Sequence, residues 1–172
     1  MSLFREVFAA RAVHKRIIDS EEWQAVDCQD DLANAATFVY HLKVGAKVAH
    51  GSLYIWSEGK VKIEFFEGAT LTADGTSIDS NNLNRETDAA SITAIFHTPT
   101  EDEAGEGTLI CETKVGQSAS GGIFGSPASG GSIEGGYWFL KPATSYQFKV
   151  TNQSGEPSDI CFKYEWHEHI AV

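Results

Sequence analysis

Apolar and polar residues alternate along most of this chain with the period of a β-strand. In the last third, Tyr146, Phe148 and Val150 share one parity with Gln147 and Lys149 between them, and Ile160, Phe162, Tyr164 and Trp166 share one parity around Cys161, Lys163 and Glu165. Successive strand side chains point to opposite faces, so alternation of this length predicts half-buried antiparallel strands. Tyr137 to Pro142 precedes them as another aromatic-rich strand, and Asn152 to Pro157 supplies turn chemistry before the last. Earlier, Phe38, Tyr40, Leu42 and Val44 alternate with Val39, His41 and Lys43 until Gly45-Ala46 breaks the pattern. Val48 to Trp56 and Lys60 to Phe66 read as two strands joined through Ser57-Glu58-Gly59, a connection with the glycine of a tight hairpin. Trp23 to Val26, Ser91 to His97 and Thr108 to Val115 bring the expected number to about nine.

Two long stretches lack alternation. Gly68 to Ala90 holds Ala73-Asp74-Gly75-Thr76, Ser80-Asn81-Asn82 and Asn84-Arg85-Glu86, while Gly116 to Gly136 is rich in Gly and Ser around Ile123 and Phe124. Loops of this length in a compact domain are usually interaction elements, and apolar residues at a loop tip call for a cover. Thr100 to Glu106 is an acidic loop. Leu3 to Ile18 fits either a short amphipathic helix or an extended segment, and no internal helix is expected. Many short strands with Gly-rich turns predict an all-β fold, an antiparallel β-sandwich of jelly-roll or immunoglobulin-like type. Residues 1–18 are expected to form an N-terminal arm and residues 19–172 a single β-sandwich domain.

Composition sharpens this picture. A hydrophobic fraction of 42% with 22% charged residues marks a chain that folds, and ten Phe, five Tyr and four Trp suit a β-rich core. The formal net charge of −11 argues against nucleic acid as a partner of the body, because phosphate contact needs clustered cations. The arm differs: Arg5, Arg11, Lys15 and Arg16 stand against Glu6 alone, so a net +3 there leaves −14 on the remainder. A basic arm of this kind is expected to dock on something acidic, such as a neighbouring copy. No apolar run is long enough to span a membrane as a helix, and the charged N-terminus is a poor signal peptide. Cys28, Cys111 and Cys161, odd in number and widely spaced, read as buried free thiols of a protein made in a reducing cytosol.

Candidate chemistry is sparse. In His167-Glu168-His169 the two histidines share a strand face, a feasible pair of metal ligands, but no third ligand is near in sequence, and a solvated polar terminus is the simpler expectation. Asp74-Gly75 with Asp79 and Asn81 lacks the calcium-loop pattern and reads as a turn. Gly121-Gly122-Ile123-Phe124-Gly125 opens no helix and has no following Lys-Ser or Lys-Thr, so no phosphate cradle is expected. There is no G-x-S-x-G elbow and no assignable triad. Tyr137, Trp138 and Tyr146 fit either core packing or an aromatic platform for sugar.

Several pieces in fixed order carry a resemblance. Trp23-Gln24-Ala25, Glu67-Gly68-Ala69-Thr70 with Ala73-Asp74-Gly75-Thr76, Asn84-Arg85, and the run from Trp138-Phe139-Leu140-Lys141-Pro142 through Tyr146 and Asn152-Gln153-Ser154-Gly155 to Glu165-Trp166-His167-Glu168 resemble a tailed-bacteriophage head decoration (cement) protein family, over residues 10–168. The resemblance implies a β-sandwich subunit that forms a homo-oligomer, a trimer, on the outer capsid surface of the virion after synthesis in the host cytoplasm. It implies the major capsid protein as partner, no enzymatic activity, and no catalytic, cofactor or metal residues. Arg5, Arg11, Lys15, Arg16, Asn84, Arg85, Ile123 and Phe124 are the residues expected to make capsid or inter-subunit contacts. Two other functions remain open at this stage: a carbohydrate-binding or host-adhesion sandwich, and a metal-dependent cupin-like enzyme.

Overall fold

The alternating segments fold as their parity predicts. The structure, a computed structural model, describes residues 22–102, 105–116 and 138–169, together with the backbone of 128–132. Its strands are β1 (Glu22–Leu32), β2 (Thr37–Lys43), β3 (Val48–Ser57), β4 (Val61–Glu67), β5 (Leu71–Ala73), β6 (Thr76–Ile78), β7 (Ser80–Asn82), β8 (Ala94–His97), β9 (Thr100–Glu101), β10 (Thr108–Val115), β11 (Ala128–Ser132), β12 (Trp138–Leu140), β13 (Ser145–Asn152) and β14 (Ser158–His169). No helix occurs among the described residues. The count exceeds the nine expected because short strands that lack alternation leave no periodic signal: β5, β6 and β7 lie inside the stretch read as one loop, β9 in the acidic loop, and β11 in the Gly-rich stretch.

Two six-stranded antiparallel sheets form the body. Sheet A runs β11-β3-β14-β1-β7, with β12 also paired to β3, and sheet B runs β10-β4-β13-β2-β8-β6. A separate ribbon pairs β5 with β9. The first four strands therefore alternate between the sheets, as do β12, β13 and β14, and the two halves of the chain pair in nested order: β1 with β14, β2 with β13, β3 with β12 and β11, β4 with β10. That order selects the jelly roll over the immunoglobulin-like sandwich.

The hairpin expected at Ser57-Glu58-Gly59 is not formed. β3 and β4 sit in different sheets, so the connection carries the chain across the core and sets their apolar faces against each other. Gly59 answers a different need, since a Cβ there would lie 2.3 Å from the Cβ of Ser154 in the β13–β14 turn.

The core lies between the sheets. Tyr40 of sheet B stacks on Phe162 of sheet A at 4.0 Å between ring centres, Phe65 stacks on Phe148 at 4.2 Å, and Trp138 meets Phe65 edge-on at 5.0 Å. Each such side chain removed from water contributes about 2–3 kcal/mol. Gly51 leaves room for the Tyr164 ring, whose hydroxyl a Cβ would approach to 2.7 Å.

The cysteines depart from expectation. Cys28 and Cys161 are directly opposite in the β1–β14 register, on the outward face of sheet A, and form a disulfide; Cys111, half-buried on β10, is the free one. Two residues 133 positions apart give no spacing clue to a pairing that only strand register creates.

Candidate interaction surfaces

Of the residues expected to make contacts, Arg5, Arg11, Lys15, Arg16, Ile123 and Phe124 lie outside the described residues, as do the arm of residues 1–18 and Tyr137. Asn84 and Arg85 are described, in the segment that follows β7. The Trp23 indole and the Asn82 amide both donate to the carbonyl of Ala89, at 3.3 and 3.2 Å, which pins this segment to the edge of sheet A. The Asn84 side chain accepts from the amide of Glu86 at 3.1 Å and so shapes the turn, while Arg85 is exposed at its tip. The structure thus gives Asn84 a local structural task, while the exposed Arg85 donates to Asn81 Oδ1 at 3.5 Å.

The outward face of sheet A gathers the histidines of the His-Glu-His motif and adds a third. His167 and His169 do share this face, and β3 adds His50, whose Nδ1 lies 3.3 Å from Nε2 of His167. His50 also stacks on Phe139 at 3.9 Å, and Phe139 remains 66% exposed. Sequence reasoning missed His50 because its nearness to His167 arises from the register of β3 with β14. Among the described residues, no group of three or more His, Cys, Asp or Glu is arranged to hold a metal ion.

Glu168 has the opposite orientation. It points between the sheets and is buried, where its carboxylate accepts from Ser91 Oγ at 2.5 Å, from the amides of Ile92 at 3.1 Å and Thr93 at 2.8 Å, and from the Trp166 indole at 3.4 Å. It ties the end of sheet A to the segment that leads into β8 of sheet B.

Further along the same outward face, Tyr54 and Trp56 on β3 hold their rings nearly parallel, 6.1 Å apart, and Lys163 lies over the Tyr54 ring. Trp56 is 41% exposed and stands opposite Cys161 of the Cys28–Cys161 disulfide. The platform considered from sequence is elsewhere and belongs to the core: Tyr146 is buried, and Trp138 packs against Phe65. Parity held the signal for Trp56, which shares its face with His50, Ser52 and Tyr54 on the polar side of β3.

The β5–β9 ribbon is linked by ion pairs to the outward face of sheet B. Lys149 reaches across to Glu101 at 2.6 Å and to Glu106, and although burial works against the charge, these two carboxylates outweigh it and raise the ammonium's pKa. Asp74, read from sequence as part of a turn, accepts from Lys43 at 2.7 Å and lies 3.7 Å from Nδ1 of buried His41. Burial pushes the His41 imidazole down in pKa against the pull of Asp74. At the corner of the sandwich, Lys141 donates to Glu67 at 2.5 Å and Tyr146 donates to the same carboxylate at 3.1 Å. The Lys141 hydrogen bond holds Glu67 below its usual pKa.

No family model matches the chain, and no curated protein matches it. Among solved structures it aligns with a chain of the KBV activated particle at acidic pH, at 13% identity and a TM-score of 0.20, covering 88% of this chain and 49% of that one. A second alignment is with a chain in the structure of infectious bursal disease virus Gx strain, at 11% identity and a TM-score of 0.14, covering 86% of this chain and 42% of that one. The chain spans less than half the length of either, and neither superposition amounts to a shared fold.

Proposed function

We propose that this chain is a non-enzymatic decoration protein of a tailed-bacteriophage head, which binds the outer capsid surface and bridges capsomer junctions. The observation that carries the reading is where the family-like residues fall. Trp23 anchors the segment that presents Arg85, Glu67 joins Lys141 to Tyr146, and Asn152 donates to Leu32 and Glu156 at 2.7 and 2.8 Å. The resemblance therefore rests on residues that hold the corners of one jelly roll, and that fold serves viral capsid and lectin domains alike. Fold alone does not assign function, so the reading stands on the resemblance and on the basic arm.

In this reading the arm, with Arg5, Arg11, Lys15 and Arg16, reaches an acidic surface of the major capsid protein, and Arg85 contacts a capsid or sister subunit. A three-fold oligomer engages several capsid subunits at once, so that modest individual contacts add to firm attachment. Purified protein should co-sediment with expanded empty heads and raise their resistance to heat; protein that stays in the supernatant overturns the proposal. Deletion of residues 1–16 should abolish binding while the far-ultraviolet circular dichroism of the sandwich persists. Normal decoration by the truncated protein would refute the arm's role.

Exposed Trp56 beside Tyr54 favours a second reading, a carbohydrate-binding module. A glycan array decides it: a hit that Trp56→Ala removes supports this reading, and an array without hits ends it.

A further inference from the structure

We propose that β10 is a pairing edge through which two copies of this chain join their B sheets about a two-fold axis at Thr113. This inference goes beyond the decoration reading and does not depend on it. Among the described residues β10 pairs only with β4, and none of them pairs with its other edge. Edge strands are commonly blunted by bulges, Pro or charged side chains, Lys above all. β10 has a bulge between Leu109 and Cys111, and from Cys111 to Val115 its register with β4 is regular; the exposed charges of Glu112 and Lys114 restrict what can pair there.

The charges on this strand specify the occupant. Glu112 and Lys114 are exposed on the outward face, while Cys111 and Val115 pack toward the core. Within one chain the register sets Glu112 opposite Glu64 and Lys114 opposite Lys62, like charge against like, and Lys62 and Glu64 satisfy each other at 2.8 Å. Directly opposed like charges on neighbouring strands are unfavourable. Antiparallel self-pairing centred on Thr113 sets Glu112 opposite the partner's Lys114, and by symmetry Lys114 opposite the partner's Glu112. Moving the axis one residue in either direction puts Glu112 against its own copy or Lys114 against its own copy, so charge selects this register alone.

The contact spans few residues, so the association is weak and depends on concentration. Sedimentation velocity of the full-length protein from about 10 μM to about 1 mM tests it. The expected result is a wild-type mass that rises to twice that of Glu112→Lys, whatever other contacts the chain makes, with the doubling restored in the E112K/K114E double variant. Both variants replace like-charge pairs within the chain by opposite ones, so a failure to fold is not expected, and circular dichroism verifies this. The proposal is overturned if the wild type shows no such doubling, if E112K leaves it unchanged, or if the double variant fails to restore it.

Discussion

At the residue scale, Glu168 shows how far parity reaches. The His-Glu-His motif reads as a polar terminus, yet Glu168 has the parity of Ile160, Phe162, Tyr164 and Trp166, and the structure buries it with them. A carboxylate at that position is tolerated because Trp166 on its own strand and Ser91, Ile92 and Thr93 from a segment about 75 residues away supply its hydrogen bonds. Glu168→Ala strands these buried donors and should destabilise the protein by on the order of 3 kcal/mol. For a chain of this size that is a fall in Tm of about 10 °C, readable by calorimetry. A fall of under about 2 °C would mean that the Ser91–Thr93 turn holds itself. The histidines on either side follow the other parity and face outward, as their spacing predicts, but the arrival of His50 beside them does not follow from any local pattern.

At the scale of elements, the pairing of β1 with β14 joins the two ends of the described chain, and the disulfide locks it. A cross-link between residues 133 positions apart restricts the unfolded chain by up to about 5 kcal/mol in the chain-entropy account. Denatured, unreduced protein should accordingly show one titratable thiol, Cys111, and three after reduction. The C28S/C161S double variant should unfold at clearly lower denaturant concentration; three thiols without reduction would show that the pair is open. The reading of three free thiols failed for the same reason as the hairpin at Ser57-Glu58-Gly59. Strand identity is written in local alternation, whereas strand partnership depends on residues far away along the chain. Strands with good alternation, such as β10 and β13, were legible nearly to the residue, and short ones such as β5, β9 and β11 were not.

At the scale of the molecule, one core contains Tyr40, Tyr146 and Tyr164, and burial raises the pKa of all three phenols, Tyr146 to about 12. Above the unfolded value near 10 the unfolded chain loses these protons first, so stability is complete below pH 10 and is lost as pH rises toward 12 and beyond. With three phenols the slope approaches 4 kcal/mol per pH unit, on the order of 1.4 for each. Tyrosinate absorbance from these residues should therefore appear together with the loss of far-ultraviolet circular dichroism in a single transition; ionisation well before unfolding would show that the rings are reached by water in the native fold. The sequence by itself determined the all-β class, the inward face of each long strand and the acidic body, because those depend on local alternation and composition. Tertiary structure alone decided the jelly-roll order, the disulfide, the clamp on Glu168, the meeting of three histidines and the like-charge rows along β10. Each of these needs two distant segments in register, and register is set by how whole faces pack across one core.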